Sequence, residues 1–129
     1  MRKYALLVVL ASLTCMLLPA CGGSGQPAAR SVEDYINALV AKDASRLSAL
    51  SCANWEQTAL TELDSFQAVA TRLDGLSCSV SGKDGGTTLV HCQGKIVATY
   101  NNEDQTFDLS ARTYEVVQQG GDFLVCGYR

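Results

Sequence analysis

The stretch VEDYINALVAKDASRLSAL, residues 32–50, decides the fold class that we expect for this chain. Its first apolar side chains recur at the spacing of one helix face: Val32, Tyr35, Ile36, Leu39 and Val40. Ser31 precedes them in the position of an N-cap, and Glu33 and Asp34 suit the positive end of a helix dipole. The stretch therefore predicts an amphipathic helix over residues 31–42.

Two further helices are predicted to follow the first. Asp43 is placed to cap a short second helix. Asn54 and Gln57 have the spacing of a capping box for a third helix. The apolar stripe of this third helix continues to Leu73, and Asp74-Gly75 is expected to end it. The helical part of the chain is thus predicted to end near residue 75.

The remainder of the chain has the pattern of an antiparallel sheet. Four strands are predicted, at residues 76–81, 88–100, 106–117 and 123–128. The turns between them read GKDGG, NNED and QGGD. Helices followed by a run of strands predict an α+β fold, in which three N-terminal helices cover one face of a four-stranded antiparallel meander.

The N-terminus has the organisation of an export signal. Arg2 and Lys3 are followed by 15 uncharged, mostly apolar residues, Tyr4–Leu18. A membrane-spanning helix needs roughly 20 apolar residues, so this stretch is typical of a secretory signal peptide. A buried N-terminal helix is the alternative.

The sequence Leu18-Pro19-Ala20-Cys21 resembles the lipobox of bacterial lipoproteins. The resemblance implies that Cys21 receives a diacylglycerol, that the signal peptide 1–20 is removed, and that the new amino terminus carries an acyl chain such as palmitate. The protein would then be a lipid-anchored lipoprotein on the extracytoplasmic side of a cell membrane or envelope. Residues 22–30, GGSGQPAAR, are predicted to be a flexible tether between Cys21 and a domain at 31–129.

The charge balance argues against nucleic acid as a partner. Ten basic side chains stand against thirteen acidic ones, and removal of Arg2 and Lys3 leaves eight basic side chains and a net charge of −5. Nucleic-acid binding and polybasic lipid binding both need clustered Lys and Arg. The sequence also predicts no cofactor and no metal site, because its cysteines lack close C-x-x-C spacing.

Four cysteines remain for the folded domain. Cys15 lies in the signal peptide and Cys21 is assigned to lipid. The others predict two disulfides in an exported domain of this size: Cys52, Cys78, Cys92 and Cys126.

The strand register selects a disulfide pairing. A first turn centred near Gly85 places Cys78 opposite Cys92. Cys126 would then lie two strands from Cys92, about 9–10 Å away, and a disulfide needs Cα atoms within about 7 Å. The expected pairs are Cys78–Cys92 and Cys52–Cys126, although a slip of one residue in any turn leaves the other pairings open.

The same register predicts one apolar, helix-covered sheet face: Cys78, Val80, Val90, Cys92, Ile96, Ala98, Phe107, Leu109, Ala111, Leu124 and Cys126.

Residues 32–50 resemble the opening of nuclear-transport-factor-2-like domains. Those domains begin with a helix that carries an aromatic residue, then a link with an Asp and a small helix that ends in Leu. Tyr35, Asp43 and Leu50 match these positions, and the resemblance extends over 31–129. It implies a strongly curved, cone-like sheet with a pocket between sheet and helices, and together with the lipobox it is similar to small bacterial lipoproteins. Family members include isomerases, dehydratases and cyclases as well as binding domains, so the resemblance alone does not assign a function.

Candidate pocket residues follow from this resemblance. Four aromatic side chains could line a small-molecule pocket: Tyr35, Trp55, Tyr100 and Tyr114. Packing in the core or at its rim is the favoured alternative for each of them. Glu115 is the one sheet acid that the register sends inward, where it could act as a base. A bulge near Thr113 would turn Glu115 outward, and we prefer this reading. His91 is expected on the outward face, and Glu62 fits a solvated helix face.

Three functions are compatible with these patterns. The first is a non-catalytic, membrane-anchored domain that binds a small ligand or a protein partner at the envelope. The second is a cone-type isomerase or cyclase that uses Glu115 as its base. The third is a structural module that forms homodimers through an edge strand.

Overall fold

The computed structural model describes residues 25–129. The predicted signal peptide and Cys21 lie outside the described residues. The helices are α1 (Gln26–Ala41), α2 (Ala44–Ala49) and α3 (Glu56–Ser65). The strands are β1 (Ala70–Asp84), β2 (Thr87–Tyr100), β3 (Glu103–Asp108), β4 (Thr113–Gln119) and β5 (Asp122–Tyr128). The predicted α+β class, with three helices ahead of an antiparallel sheet, is confirmed.

Helix α1 begins five residues earlier than the sequence predicts. Pro27 lies in its first turn, where a missing N–H costs no hydrogen bond. Ala28 and Ala29 are buried, so this first turn packs against the rest of the domain. The predicted tether is therefore wrong for residues 26–30. Ser31 is not an N-cap, because it lies inside α1, whose N-cap is Gly25. Its hydroxyl instead donates a 2.6 Å hydrogen bond to the carbonyl of Phe123.

The two shorter helices agree only in part with their predicted caps. The Asp43 side chain accepts a hydrogen bond from the Arg46 amide, so the cap of α2 is confirmed. The capping box at Asn54 is wrong, because Trp55 occupies the N-cap position of α3 and makes no side-chain cap. Helix α3 also ends at Ser65, and Leu73 lies in β1 opposite Ile96. The long strand β2 needs a ladder partner along its whole length, and this long-range pairing overrides the local helical spacing.

The sheet has five strands rather than four and is open. The order is β1-β2-β4-β5, and β3 also pairs with β2. The predicted third strand, 106–117, is divided by a 3-10 turn at Leu109–Ala111. The Asp108 side chain accepts a 2.8 Å hydrogen bond from the Ser110 amide and so stabilises this turn. Strands β3 and β4 therefore follow one another along the same edge of β2.

The strand register agrees with the prediction at the first hairpin and departs from it afterwards. Cys78 pairs with Cys92 as expected. Thr113 pairs with His91, one residue from the expected partner. The pairs of β4 and β5 from Val116–Val125 to Gln119–Asp122 agree with the predicted third turn, and an irregularity at Glu115–Val116 shifts only the pairs beyond it.

The shifted register corrects the predicted core face. On β5 the buried residues are Val125 and Gly127, whereas Leu124 and Cys126 are only partly buried. Phe107 is 39% exposed, although it packs edge-on against Phe66. The core that lies between the helices and the sheet is otherwise apolar and includes Ile36, Leu39, Leu47, Leu63, Val90, Cys92, Ile96, Ala98 and Val116.

Gly94 permits a close approach between β1 and β2. Its φ is +96°, and a Cβ there would lie 2.6 Å from the carbonyl oxygen of Asp74. Asp74 and Gly75 belong to an irregularity of β1 that lies over this glycine. The predicted helix end at Asp74-Gly75 is thus a strand bulge.

Among the helices of residues 25–129, none combines the length and the apolar character that a membrane span requires.

Candidate functional site

Two disulfides connect the elements that surround the core. Cys78–Cys92 joins β1 to β2 with Cα atoms 4.1 Å apart, and Cys52–Cys126 joins the α2–α3 loop to β5 with Cα atoms 4.8 Å apart. These are the pairs expected from the strand register. Disulfides persist in oxidising compartments, so they indicate an extracytoplasmic environment for the domain.

The α2–α3 loop also pairs with β5 through its backbone. The Cys52 amide donates a 2.8 Å hydrogen bond to the Val125 carbonyl, and the Val125 amide donates one of 2.8 Å to the Leu50 carbonyl. Ser51 and Val125 form a parallel bridge. The outer edge of β5 is therefore covered at this point.

An aromatic cluster fills the space between the helices and the strands β4 and β5. Its members are Tyr35 of α1, Trp55 before α3, Tyr114 of β4 and Tyr128 of β5. The Tyr114 ring lies edge-on to Tyr35 at 6.3 Å and to Tyr128 at 5.8 Å, and Trp55 lies edge-on to Tyr128 at 5.3 Å. Trp55 also donates a 3.1 Å hydrogen bond to the Tyr35 hydroxyl. Tyr35 and Tyr114 are buried, so they have the packing role that the sequence favoured.

An ion pair lies beside this cluster. Arg112 donates a 2.6 Å hydrogen bond to Glu62 Oε1, and its guanidinium carbon lies 4.1 Å from the centre of the Tyr128 ring. The Glu62 side chain is 14% exposed, and its second oxygen, Oε2, is buried without a hydrogen-bond partner among the described residues. The expectation that Glu62 lies on a solvated helix face is wrong. The predicted stripe of α3 contains only apolar residues, so it did not indicate that Glu62 is buried. Its partner Arg112 lies 50 positions away in sequence, and such a distant partner leaves no local pattern.

Burial and charge shift the ionisation of this cluster. Burial raises the pKa of Tyr114 to about 12, against the opposing charge of Arg112. Burial also raises the pKa of Tyr35, and the hydrogen bond from Trp55 opposes this shift. For Arg112, burial lowers the pKa, but the hydrogen bond and the charge of Glu62 outweigh burial and raise it. All three groups therefore keep their ordinary protonation state at neutral pH.

Glu115 lies outside the buried part of the aromatic cluster, next to its rim: a Cβ on Gly127 would lie 3.6 Å from Glu115 Oε2 and 3.7 Å from the Trp55 ring. The neighbouring Tyr114 and Val116 are buried, whereas the Glu115 side chain is 29% exposed. It accepts a 2.6 Å hydrogen bond from Arg129 Nε, and Arg129 also contacts Asp84 at 3.2 Å. Tyr114 rather than Glu115 lies opposite Val90, so Glu115 faces away from the core. This one-residue shift against β2 arises at the 3-10 turn just before Thr113, close to where the bulge was expected. The carboxylate is thus held in an ion pair at the sheet surface.

Two other predicted residues also lie outside the cluster. Tyr100 ends β2, ten residues beyond Val90, which is the ladder partner of Tyr114. His91 lies between Ser79 and Thr113 in the sheet and is half-buried. The structure therefore brings together Tyr35, Trp55 and Tyr114, places Glu115 at the rim of this group beside Trp55, and leaves Tyr100 outside it.

A surface pocket lies at the start of α1. It has a volume of about 550 Å³ and is open to solvent. Its lining includes Gln26, Arg30 and Asp34 of α1 and Asp122 and Phe123 of β5. Side chains of both charges beside an aromatic ring suit the binding of a polar or zwitterionic group. The sequence did not indicate this pocket, because it predicted residues 22–30 to be an unstructured tether.

Comparisons with known proteins define the fold and no more. No family model matches the chain, and no curated protein matches it. The 1.8 Å structure of Aln2 from a Streptomyces species is similar, with a TM-score of 0.53 and 13% sequence identity. The match covers 77% of this chain and 82% of Aln2. This likeness shows a shared α+β fold.

Proposed function

We propose that this chain is an exported lipoprotein, anchored through an acylated Cys21, whose domain binds a small ligand or a protein partner at the cell envelope without catalysing a reaction. The observation that carries the proposal is the pair of disulfides, Cys78–Cys92 and Cys52–Cys126. They favour a location outside the cytoplasm, where an export signal must deliver the domain. Cys21 is then the cysteine left for lipid, at the end of that signal.

The fold proposed for the domain is the nuclear-transport-factor-2-like cone. The order of three helices followed by an antiparallel sheet supports it, and so do the matches of Tyr35, Asp43 and Leu50 to the opening of those domains. The likeness to Aln2 is compatible with it. The irregularities at Asp74–Ser77 and Glu115–Val116 are features that bend a sheet.

Binding is favoured over catalysis by what occupies the interior. In the cone-type enzymes a base must face a pocket between the sheet and the helices. In this chain Tyr35 and Tyr114 fill that space with their rings. Glu115, the proposed base of the isomerase alternative, is held in an ion pair with Arg129 at the sheet surface, beside Trp55 and not between the buried rings. The pocket at the start of α1 is the better binding site, because it is open and carries polar groups of both signs.

Metabolic labelling with palmitate tests the lipid anchor. We expect label in the wild-type chain and none in the Cys21→Ala variant. Cys15→Ala is the matched control, because Cys15 lies inside the apolar stretch of the same signal and should leave labelling unchanged. Label that persists in Cys21→Ala, or a wild-type chain without label, would contradict the proposal.

A further inference from the structure

We propose that one end of the domain, which we call the proximal face, lies against the headgroup layer of the bilayer that holds Cys21. The proximal face comprises the first turn of α1, the β1–β2 turn at Gly85-Gly86 and the β4–β5 turn at Gly120-Gly121. This inference rests on the proposed lipid attachment and adds to it an orientation and a contact surface.

The connection between the lipid and the folded domain is short. Four residues, Gly22–Gly25, separate Cys21 from the start of α1. A fully extended chain spans at most about 3.6 Å per residue, so Cys21 lies within about 18 Å of Gln26. The start of α1 is fixed to the domain, because Ala28 and Val32 are both fully buried. A longer tether could form only if these side chains left the core.

Contacts along α1 identify which end of the domain the lipid holds. Near its start, Pro27 lines a pocket with Lys83 and Gly86 of the β1–β2 hairpin. Near its end, the Val40 carbonyl accepts a hydrogen bond from Thr71 at the other end of β1. Helix α1 therefore runs antiparallel to β1. The β2–β3 turn lies at the far end of the domain, since Thr99 pairs with Ala70.

The two ends of the domain lie farther apart than the tether can reach. Helix α1 spans them from Pro27 to Val40, about 20 Å at about 1.5 Å per residue. The extended length of the 14-residue strand β2, about 45 Å at about 3.3 Å per residue, sets the upper limit. Glu103 follows the far turn and is exposed. An end-on orientation therefore keeps Glu103 well away from the headgroups.

The charges at the two ends favour this end-on orientation. Arg30, Lys83 and the acidic Asp122 lie near the proximal face, and none of the three is ion-paired within residues 25–129, so their charges sum to +1. The far turn carries Glu103 and Asp104, of which Asp104 is paired with Arg72. An anionic bilayer attracts the net positive charge of the proximal face and repels the unpaired carboxylate of Glu103 at the far turn. The pocket that contains Arg30 and Asp122 then opens toward the headgroup layer.

Depth-dependent quenching tests this orientation with the full lipidated chain. The chain is reconstituted into vesicles of phosphatidylethanolamine and phosphatidylglycerol that contain a headgroup nitroxide lipid. A fluorophore is attached through Gly86→Cys or, as the matched distal control, Glu103→Cys. A Cβ at Gly86 meets no atom within 4 Å, and Glu103 is exposed, so both positions tolerate the change. We expect at least threefold stronger quenching at position 86 than at position 103.

The outcomes separate the orientation from the anchor. If the wild-type chain does not float with the vesicles, the lipid anchor fails and the orientation fails with it. If the chain floats but quenching is equal at the two positions, or stronger at 103, only the orientation is overturned. Insertion of 15 Gly and Ser residues after Gly23 should at least halve the difference between the two positions. A difference that survives this insertion unchanged would contradict the role of the short connection.

Discussion

Glu62 of α3 and Arg112, the residue before β4, are joined by a 2.6 Å hydrogen-bonded ion pair that links the helical layer to the sheet. Both side chains are shielded from water, at 14% and 29% exposure, and Arg112 also lies over the Tyr128 ring. A pair of this kind differs from the five other ion pairs among residues 25–129, in which at least one side chain is about half exposed. Its loss should therefore matter to stability.

The Arg112→Met variant should be destabilised by about 2–3 kcal/mol, because it leaves the Glu62 carboxylate buried with no partner. Urea unfolding of the soluble fragment 25–129 measures this change. Adding Glu62→Gln to Arg112→Met should restore about 1 kcal/mol or more, since the uncompensated charge is then removed. Arg72→Met breaks an exposed ion pair with Asp104 and is the matched control, with an expected cost below about 1 kcal/mol. Equal costs for Arg112→Met and Arg72→Met would refute the structural role of the Glu62–Arg112 pair.

Alkaline pH should destabilise the domain through its buried tyrosines. Burial raises the pKa of Tyr114 from 10.0 to about 12 in the folded chain. The contribution of neutral Tyr114 to stability is thus complete below pH 10 and is lost as the pH rises from 10 to 12. Tyr114→Phe should flatten the fall in the free energy of unfolding over this range by about 1.4 kcal/mol per pH unit. Urea unfolding at pH 9, 10 and 11 checks this, with Tyr100→Phe as the control. An unchanged slope in Tyr114→Phe would rule out the buried, neutral state of this side chain.

The two disulfides should contribute unequally to stability. Cys52–Cys126 closes a loop with a sequence separation of 74 and Cys78–Cys92 one of 14. On the chain-entropy relation these loops correspond to about 4.5 and about 3 kcal/mol. The Cys52→Ser/Cys126→Ser double variant should therefore unfold at lower urea than Cys78→Ser/Cys92→Ser. Peptide mapping without reduction is the accompanying check, and a Cys52–Cys78 peptide would show that the register is wrong.

The soluble fragment 25–129 should be a monomer. Strand β3 pairs only with β2 among the described strands, and all six of its residues are exposed. Three of these residues are acidic, Glu103, Asp104 and Asp108, so pairing of two copies along this edge would place like charges close together. Light scattering at 10 and 100 µM checks this expectation. A dimer mass at both concentrations would favour the structural module over the binding domain.

The sequence was sufficient to predict those elements that are determined by residues close together in the chain. The spacing from Val32 to Val40 fixed the apolar face of α1, and Asp43 fixed the start of α2. The glycine turn near Gly85 fixed the first hairpin, and with it the Cys78–Cys92 pair. In each case the residues that determine the structure lie close together in the chain.

The features that were missed depend on distant contacts. Ala28 and Ala29 look like tether residues until the sheet that buries them is present. Leu73 continues a helical stripe, yet its partner is Ile96 on β2. The one-residue shift of β4 against β2, with Thr113 opposite His91, reversed the buried faces of β4 and β5, so that Val125 rather than Cys126 became the buried residue. Pairing across the sheet decides all three, and no local pattern reports it.

The intact mass of the mature protein, extracted from membranes with detergent, tests the central claim most directly. The lipoprotein account predicts a chain that begins at Cys21 and carries a diacylglycerol on that residue. It also predicts a mass that is lower than that of the reduced chain by four hydrogens, because the disulfides Cys52–Cys126 and Cys78–Cys92 are both formed. A chain that still contains Met1–Ala20, or one that begins elsewhere and carries no lipid, would contradict the account.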